Sequence, residues 1–252
     1  MMDNHSHIIE VRNLVKKFGS FVANDRLTFN VREGEIFGFL GSNGAGKTTA
    51  MRILCGLSYP TSGEIFVSGF NVYRDREKIK RNIGYMSQKF SMYEDLTVSE
   101  NISLYAGIYG LNSNYIKQRK TELLRRLGME NIKNRFIREI PPGWKQKLAF
   151  SVAIFHRPGI VFLDEPTGGV DPITRRQFWE LIHEATAEGI TVFVTTHYMD
   201  EAEYCDRVAI MKDAKIVTLD TPKALKKHYN SGTMNDVFLK LARTYPSAET
   251  GP

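Results

Sequence analysis

No stretch of the 252-residue chain approaches the roughly 18 uninterrupted apolar residues that a bilayer-crossing helix needs. The sequence therefore predicts no membrane span. Met1 to His7 lacks the apolar centre of a secretory leader, and the expectation is a protein that stays in the compartment where it is made. Cysteine is scarce: Cys55 and Cys205 are too few and too far apart for a disulfide framework or a metal-ligand spacing. Both sit among apolar and helix-forming neighbours and are expected as buried thiols. Internal repeats, low-complexity linkers and sustained heptads are also missing, which argues against a repeat array or a long coiled coil.

What is present is a globular composition, 42% apolar, with enough length for a sizeable core. The net charge of +6 would suit an anionic partner, but Lys and Arg are spread along the chain. A solvated basic surface is the simpler reading, and no nucleic acid is expected. His5 and His7 lie in a polar leader and are read as part of a mobile tail rather than a metal site.

Hydrophobic patterning gives an order of elements. Ile8 to Phe18 and Leu27 to Val31 read as short alternating strands, and Ile36 to Leu40 as a buried strand that runs into a glycine-rich loop. A helix is expected from Thr48 to Leu57, then strands at Glu64 to Val67 and Ile83 to Ser87. From Thr97 to about Phe136 the pattern turns helical and polar. Thr97 and Glu100 fit a capping box, and Ile116, Leu123, Leu124 and Leu127 share one helical face ending at Gly128. The run Ile160 to Leu163 predicts a central parallel strand. Asp171-Pro172 opens a helix that reaches Gly189, and Thr191 to Thr196 is the next strand. A hairpin turning at Asp213-Ala214 and a helix from about Pro222 to His228 close the pattern.

Gly41-Ser42-Asn43-Gly44-Ala45-Gly46-Lys47-Thr48 fits G-x-x-x-x-G-K-[ST], a loop whose backbone amides cradle phosphate at a helix N-terminus. Average composition gives about one chance match per hundred chains of this length, so context has to decide. The context agrees, because a buried strand precedes the loop and a helix follows it. Lys47 is placed to neutralise the outer phosphates and Thr48 to ligate magnesium. Asp164-Glu165 follows the apolar strand directly; Asp164 would hold magnesium through waters and Glu165 would take a proton from the attacking water. Gln88 and His197 also follow strands. In a parallel sheet these four strand ends emerge along one edge, where ligands bind.

In this order the residues resemble the nucleotide-binding domain of ABC transporters, over nearly the whole chain to Cys205-Asp206-Arg207. The resemblance implies an α/β fold: a P-loop NTPase core with a mixed or parallel sheet, an N-terminal antiparallel part and an inserted helical sub-domain. It implies a single domain over residues 1–252, with a core at 1–95 and 156–230, a helical part at about 96–155 and a tail at 231–252. It also implies roles. Phe18 stacks on adenine, Gly41 to Thr48 is the Walker A loop with Thr49 beside it, and Gln88 is the Q-loop glutamine, counted with both the catalytic and the magnesium residues. Asp164-Glu165 ends Walker B, Gly168 to Asp171 is the D-loop, and His197 is the switch histidine.

One motif departs from the family. The signature, usually Leu-Ser-Gly-Gly-Gln, stands here as Ile140-Pro141-Pro142-Gly143-Trp144. Neither proline has an amide to donate and Pro141 has no hydroxyl, while Gly143 keeps its amide for ATP held by a second subunit. Two readings follow: a working variant, or a half-site dependent on a better partner. Gly143-Trp144-Lys145-Gln146 is similar to the segment found in ATPase subunits of ABC-2-type exporters, which favours the first.

The resemblance implies ATP and Mg2+ as cofactors and a Mg-dependent ATPase on the inner face of the cell membrane. The expected partners are a second nucleotide-binding domain, as homodimer or heterodimer, and a polytopic transmembrane permease. Residues Phe90 to Asp95 are the expected docking segment for that permease, against the plainer reading of an acidic loop. The alternative is a soluble ATPase of the same superfamily in cofactor assembly or nucleic-acid processing. About 95 residues between Thr48 and Gly143 leave no room for the long coiled coil of chromosome-structure members. After Asn230 only packing through Val237, Phe238 and Leu241 is expected.

Overall fold

The computed structural model describes residues 6–88 and 92–244. His5, Phe90 and residues 245–252 of the expected tail lie outside the described residues.

The chain begins with two 12-residue strands, β1 (His7–Phe18) and β2 (Phe21–Arg32), paired antiparallel. Val11 faces Phe29 and Leu14 faces Leu27 in register, with bulges between. Sequence patterning missed the first half of β2, because Asn24-Asp25-Arg26 breaks the apolar alternation; the ladder to β1 carries the strand through it. With β4 (Ser62–Val67) and β5 (Phe70–Asn71) these strands form a four-stranded antiparallel sheet in the order β2-β1-β4-β5.

The second sheet has six strands. β3 (Ile36–Gly41), β6 (Ile83–Met86), β7 (Ile160–Asp164), β8 (Thr191–Thr196) and β9 (Arg207–Lys212) run parallel, and β10 (Lys215–Asp220) adds an antiparallel edge, giving the order β10-β9-β3-β8-β7-β6. Every residue of β3, β7 and β8 is buried, as their unalternating apolar sequences require in a sheet covered on both faces. The hairpin between β9 and β10 turns at Asp213 and Ala214, both left-handed (φ 46 and 64), the backbone of a tight hairpin turn.

One face of this sheet packs on the antiparallel sheet and on α1 (Lys47–Leu54), which is one turn shorter than expected. Here the Phe29 ring lies 5.8, 5.4 and 6.3 Å from those of Phe37, Phe39 and Phe193. Buried Cys55 sits in the same cluster. The other face is covered by α6 (Pro172–Ala187), α7 (Pro222–His228) and α8 (Met234–Thr244), through Phe178, Trp179, Leu225, Val237 and Leu241, with Phe238 partly buried beside them. Buried Cys205 belongs to this second cluster. A short helix not foreseen from sequence, α2 (Arg76–Asn82), buries only Ile79 among charged residues and so leaves no periodic signal.

Three helices stand apart around a core of their own: α3 (Val98–Ile108), α4 (Ser113–Arg126) and α5 (Pro142–Ala153), packed through Ile102, Leu124, Leu148 and Phe155. Both halves of the Thr97–Glu100 capping box are made. Fully buried Asn101 donates to the Tyr93 and Leu96 carbonyls and accepts from the Tyr93 amide, so it fastens the segment that leads into α3. Arg126 ties α4 to α6 through Glu184 and Glu188, at 2.8 and 2.7 Å. Among the described residues no helix is long and apolar enough to cross a membrane.

His156, between α5 and β7, stacks on Tyr109 beyond the end of α3, with ring centroids 3.6 Å apart. Burial pushes its imidazole down to about 4, against an opposing backbone contact with Ile83. The unfolded chain takes up that proton near pH 6.5 and the folded chain only near pH 4. The neutral ring therefore contributes stability that is present above pH 6.5 and lost as pH falls to about 4. Thermal unfolding of His156→Phe, measured between pH 7 and pH 4, should fall less steeply than that of the parent; parallel curves would contradict this.

Candidate active site

The parallel register aligns the carboxyl ends of the central strands. Leu40 of β3 lies beside Thr196 of β8, Asp164 of β7 beside Thr195, and Met86 of β6 beside Leu163. The residues that follow therefore leave the sheet at one edge, and the structure brings together the four pieces expected there.

They meet at the carboxylate of Glu165. Its Oε2 lies 2.9 Å from His197 Nδ1 and accepts from Gln88 Nε2 at 3.1 Å, and Oε1 lies 3.4 Å from Lys47 Nζ. Lys47 and Glu165 are only 4% and 9% exposed, so this ion pair is buried. Glu165 itself has a left-handed backbone (φ 47), a conformation that costs a non-glycine residue about 1–3 kcal/mol. Bonds from its amide to Thr195, at both the carbonyl and the hydroxyl, hold it there.

Asp164 lies one layer deeper. Its Oδ1 accepts from the Thr195 hydroxyl at 2.6 Å and the Thr48 hydroxyl at 3.1 Å. Burial pushes its carboxyl above the ordinary range, against those two hydrogen bonds. Burial likewise lowers Lys47, with Glu165 opposing. The Lys47 ammonium also donates to the carbonyls of Gly41 (2.8 Å) and Ser42 (3.1 Å).

In front of this cluster is a cavity of about 420 Å³. Asn43, Gly44, Gly46, Lys47, Thr48 and Thr49 form one wall, and Gln88 and Glu165 another. Ala45 is buried beneath the loop, its amide bonded to the Ser42 carbonyl. Thr48 and Asp164, with Gln88 near them, are oxygen donors of the kind magnesium takes. Among the described residues no group of three or more His, Cys, Asp or Glu forms a self-contained metal cage. Magnesium held by one carboxylate, a hydroxyl and substrate phosphates needs none.

Three expected residues lie elsewhere. Phe18 does not line the cavity; Phe21, its partner across the β1–β2 hairpin, does. Asp171 caps α6, accepting from the Ile173 and Thr174 amides at 3.0 Å each. Gly143, in the first turn of α5, packs so closely on α6 that an added Cβ would fall 2.7 Å from the Thr174 methyl. At that turn the Trp144 and Lys145 amides both return to the Pro141 carbonyl.

Sequence reasoning missed Asn24. Its side chain is fully buried and donates to the Gly46 carbonyl at 3.0 Å, bracing the phosphate loop from β2. A polar residue that interrupts an otherwise apolar-alternating strand was the available signal. Gly46 is left-handed (φ 99), and a Cβ there would meet the Ala23 carbonyl at 2.2 Å. Gly46→Ala should thus weaken ATP binding at least about tenfold, from strain of about 1–3 kcal/mol plus that clash. An equilibrium titration with ATP checks this, and parent affinity would contradict it.

Residues 24–168 match the family model described as "ABC transporter". The chain is 44% identical over 239 residues to "Probable multidrug ABC transporter ATP-binding protein YbhF" of Escherichia coli K12, covering 93% of this chain and 41% of that relative. The chain thus spans about two fifths of that relative's length. It is 38% identical to "Bacitracin transport ATP-binding protein BcrA" of Bacillus licheniformis, covering 84% of this chain and 69% of BcrA. A solved ATP-binding cassette, a dimer in a post-hydrolysis state bound to ADP and Pi, superposes with a TM-score of 0.75 at 26% identity, over 84% of this chain and 98% of that one. The chain belongs to the ABC transporter family, as one of its ATP-binding members.

Proposed function

We propose that this chain binds ATP with magnesium in the 420 Å³ cavity and hydrolyses it with Glu165 as general base. Closure of two such domains would then drive a separate membrane-spanning exporter component. The observation that carries the reading is the Glu165 carboxylate, facing the phosphate loop and shared by Lys47, Gln88 and His197.

The loop amides and the α1 dipole bind the phosphates, and Lys47 turns its ammonium from the Gly41 and Ser42 carbonyls to the outer phosphate oxygens. Thr48 and Asp164 would hold magnesium, the latter through waters, with Gln88 beside them; when bound, the ion neutralises charge on the β- and γ-phosphates. Glu165 takes a proton from water as the water oxygen bonds the γ-phosphorus. The bond from phosphorus to the bridging oxygen breaks, and its electron pair stays on ADP. His197 holds Glu165 in place and senses the γ-phosphate. Phe21, which lines the cavity, supplies an aromatic platform for the base, with Phe18 paired to it across the hairpin.

The Gly143 amide and Asp171 lie outside this cavity and serve the ATP held by a second copy or a homologous partner; a solved relative of 26% identity is itself a dimer bound to ADP and Pi. The helical segment of about 96–155, with its separate core, serves as the sub-domain that carries Gly143. The permease side is an apolar groove of about 290 Å³ between α3 and the core, lined by Leu57, Tyr85, Tyr105, Ile108 and Tyr109. Ile108 is 66% exposed there. This groove suits a cytoplasmic helix of the partner, alongside the Phe90 to Asp95 segment expected from sequence, where Tyr93 is 54% exposed. The chain would then sit on the inner face of the cell membrane. The transport names of the relatives favour this over cofactor assembly or nucleic-acid processing.

Glu165→Gln should lower kcat by about 100- to 10,000-fold while ATP still binds; turnover at the parent rate would remove Glu165 as the base. Pro141→Ser with Pro142→Gly should leave ATPase activity within about threefold of the parent, and a large rise would show the natural segment to be impaired. Ile108→Asp should abolish co-purification with a polytopic protein from detergent-solubilised membranes, and undiminished co-purification would refute the groove.

A further inference from the structure

His197 is held on one side by Glu165; its other ring contact belongs to a set of side chains that the hydrolytic reading leaves unused. The imidazole lies against the Tyr198 ring, with centroids 4.1 Å apart and planes inclined by 37°. The Arg175 guanidinium, from the first turns of α6, sits 4.3 Å from the centre of that same Tyr198 ring. Arg175 is aimed by two acids: its Nη1 lies 3.4 Å from Asp200 and its Nε 3.6 Å from Glu201.

Glu201 is the unusual member. It is fully buried, and burial pushes its carboxyl above the ordinary range, against the hydrogen bond from Thr167 and the charge of Arg175. Thr167, also fully buried, stands two residues beyond Glu165 and donates its hydroxyl to Glu201. Thr196 immediately precedes His197, and its hydroxyl accepts from the Tyr198 amide at 3.0 Å. The Glu201 amide in turn donates to the Tyr198 carbonyl at 3.2 Å. One acid therefore touches the segment after Glu165, the segment carrying His197, and the α6 residue that covers Tyr198.

A buried carboxylate is a poor way to gain stability, because desolvation offsets most of what its partners return. A packing role alone would be met by an apolar side chain of similar volume. What this arrangement does provide is geometry. His197 follows the end of β8 with its side chain 31% exposed, and a ring placed there can turn away from Glu165 unless something fixes its plane.

We propose that Tyr198 and Glu201 are positioning residues for hydrolysis: Glu201 fastens the segment after Glu165 to the segment after β8, and Tyr198, covered by Arg175, sets the plane of His197 against Glu165. The inference rests on the reading of Glu165 and His197 as hydrolytic residues, and it predicts an effect on turnover rather than on ATP binding. Displacing a catalytic group by about 1 Å can cost about 100-fold in rate.

The test is steady-state ATP hydrolysis by the full chain with magnesium. Tyr198→Ala should lower kcat by about 10- to 100-fold, with KM for ATP and the thermal midpoint close to the parent values. Tyr198→Phe, which keeps the ring, should recover most of the rate. Glu201→Gln keeps an acceptor for Thr167 and loses the charge that aims Arg175; it should lower kcat without raising KM. In a His197→Ala background, Tyr198→Ala should add almost nothing, because it acts through His197, whereas a general loss of structure would add in full. A parent-rate Tyr198→Ala, or an undiminished further loss in the His197→Ala background, overturns the inference while leaving the hydrolytic reading standing. A His197→Ala variant that turns over at the parent rate overturns the inference together with the role of His197, and leaves Glu165 as the base to be decided by Glu165→Gln.

Discussion

The constraint on which the rest depends is the buried charge at Glu165. A carboxylate 9% exposed lies next to an ammonium 4% exposed, and such a pair is tolerated only when its remaining hydrogen-bonding capacity is met. Gln88 and His197 meet it, from two further strand ends. Removing one partner of a buried pair typically costs about 3–5 kcal/mol, so the four groups are coupled and the sheet must deliver all of them together.

The strand order does this. β3, β8, β7 and β6 lie side by side and parallel, so their carboxyl ends form one edge, and burial of both sheet faces leaves little freedom for slippage. Behind the carboxylate, Thr195 receives the Glu165 amide and donates to Asp164, fixing a left-handed residue that would otherwise relax. From the antiparallel sheet, Asn24 reaches under the loop to the Gly46 carbonyl. The phosphate loop is thus braced from both sheets. Nucleotide chemistry then follows from local physics: amides at a helix N-terminus, a lysine among carbonyls, and a hydroxyl 3.1 Å from a carboxylate.

Much of this was legible in the sequence wherever local chemistry dictates structure. The unalternating runs of β3, β7 and β8, the Thr97–Glu100 capping box, the Asp171-Pro172 helix start and the Asp213-Ala214 turn are each set by neighbours within a few residues. What sequence hid depends on contacts between distant segments. The first half of β2 is a strand because β1 pairs with it, despite Asn24-Asp25-Arg26. Phe21 rather than Phe18 lines the cavity because of the hairpin's twist and register. Glu201 reads as an ordinary helix-forming acid until folding places it between Thr167, Thr196 and Arg175. The apolar groove beside α3 was hidden for the same reason, because its lining residues, from Leu57 to Tyr109, lie far apart in the chain.

The central claim is that the cluster around Glu165 and the loop ending at Lys47 form one ATP site. It is tested most directly by equilibrium titration of the purified chain with ATP and magnesium, parent beside Lys47→Ala. The account predicts one ATP bound per chain by the parent and an affinity at least about tenfold weaker in the variant, the loss of a charge-assisted contact. Unchanged affinity in Lys47→Ala would contradict it.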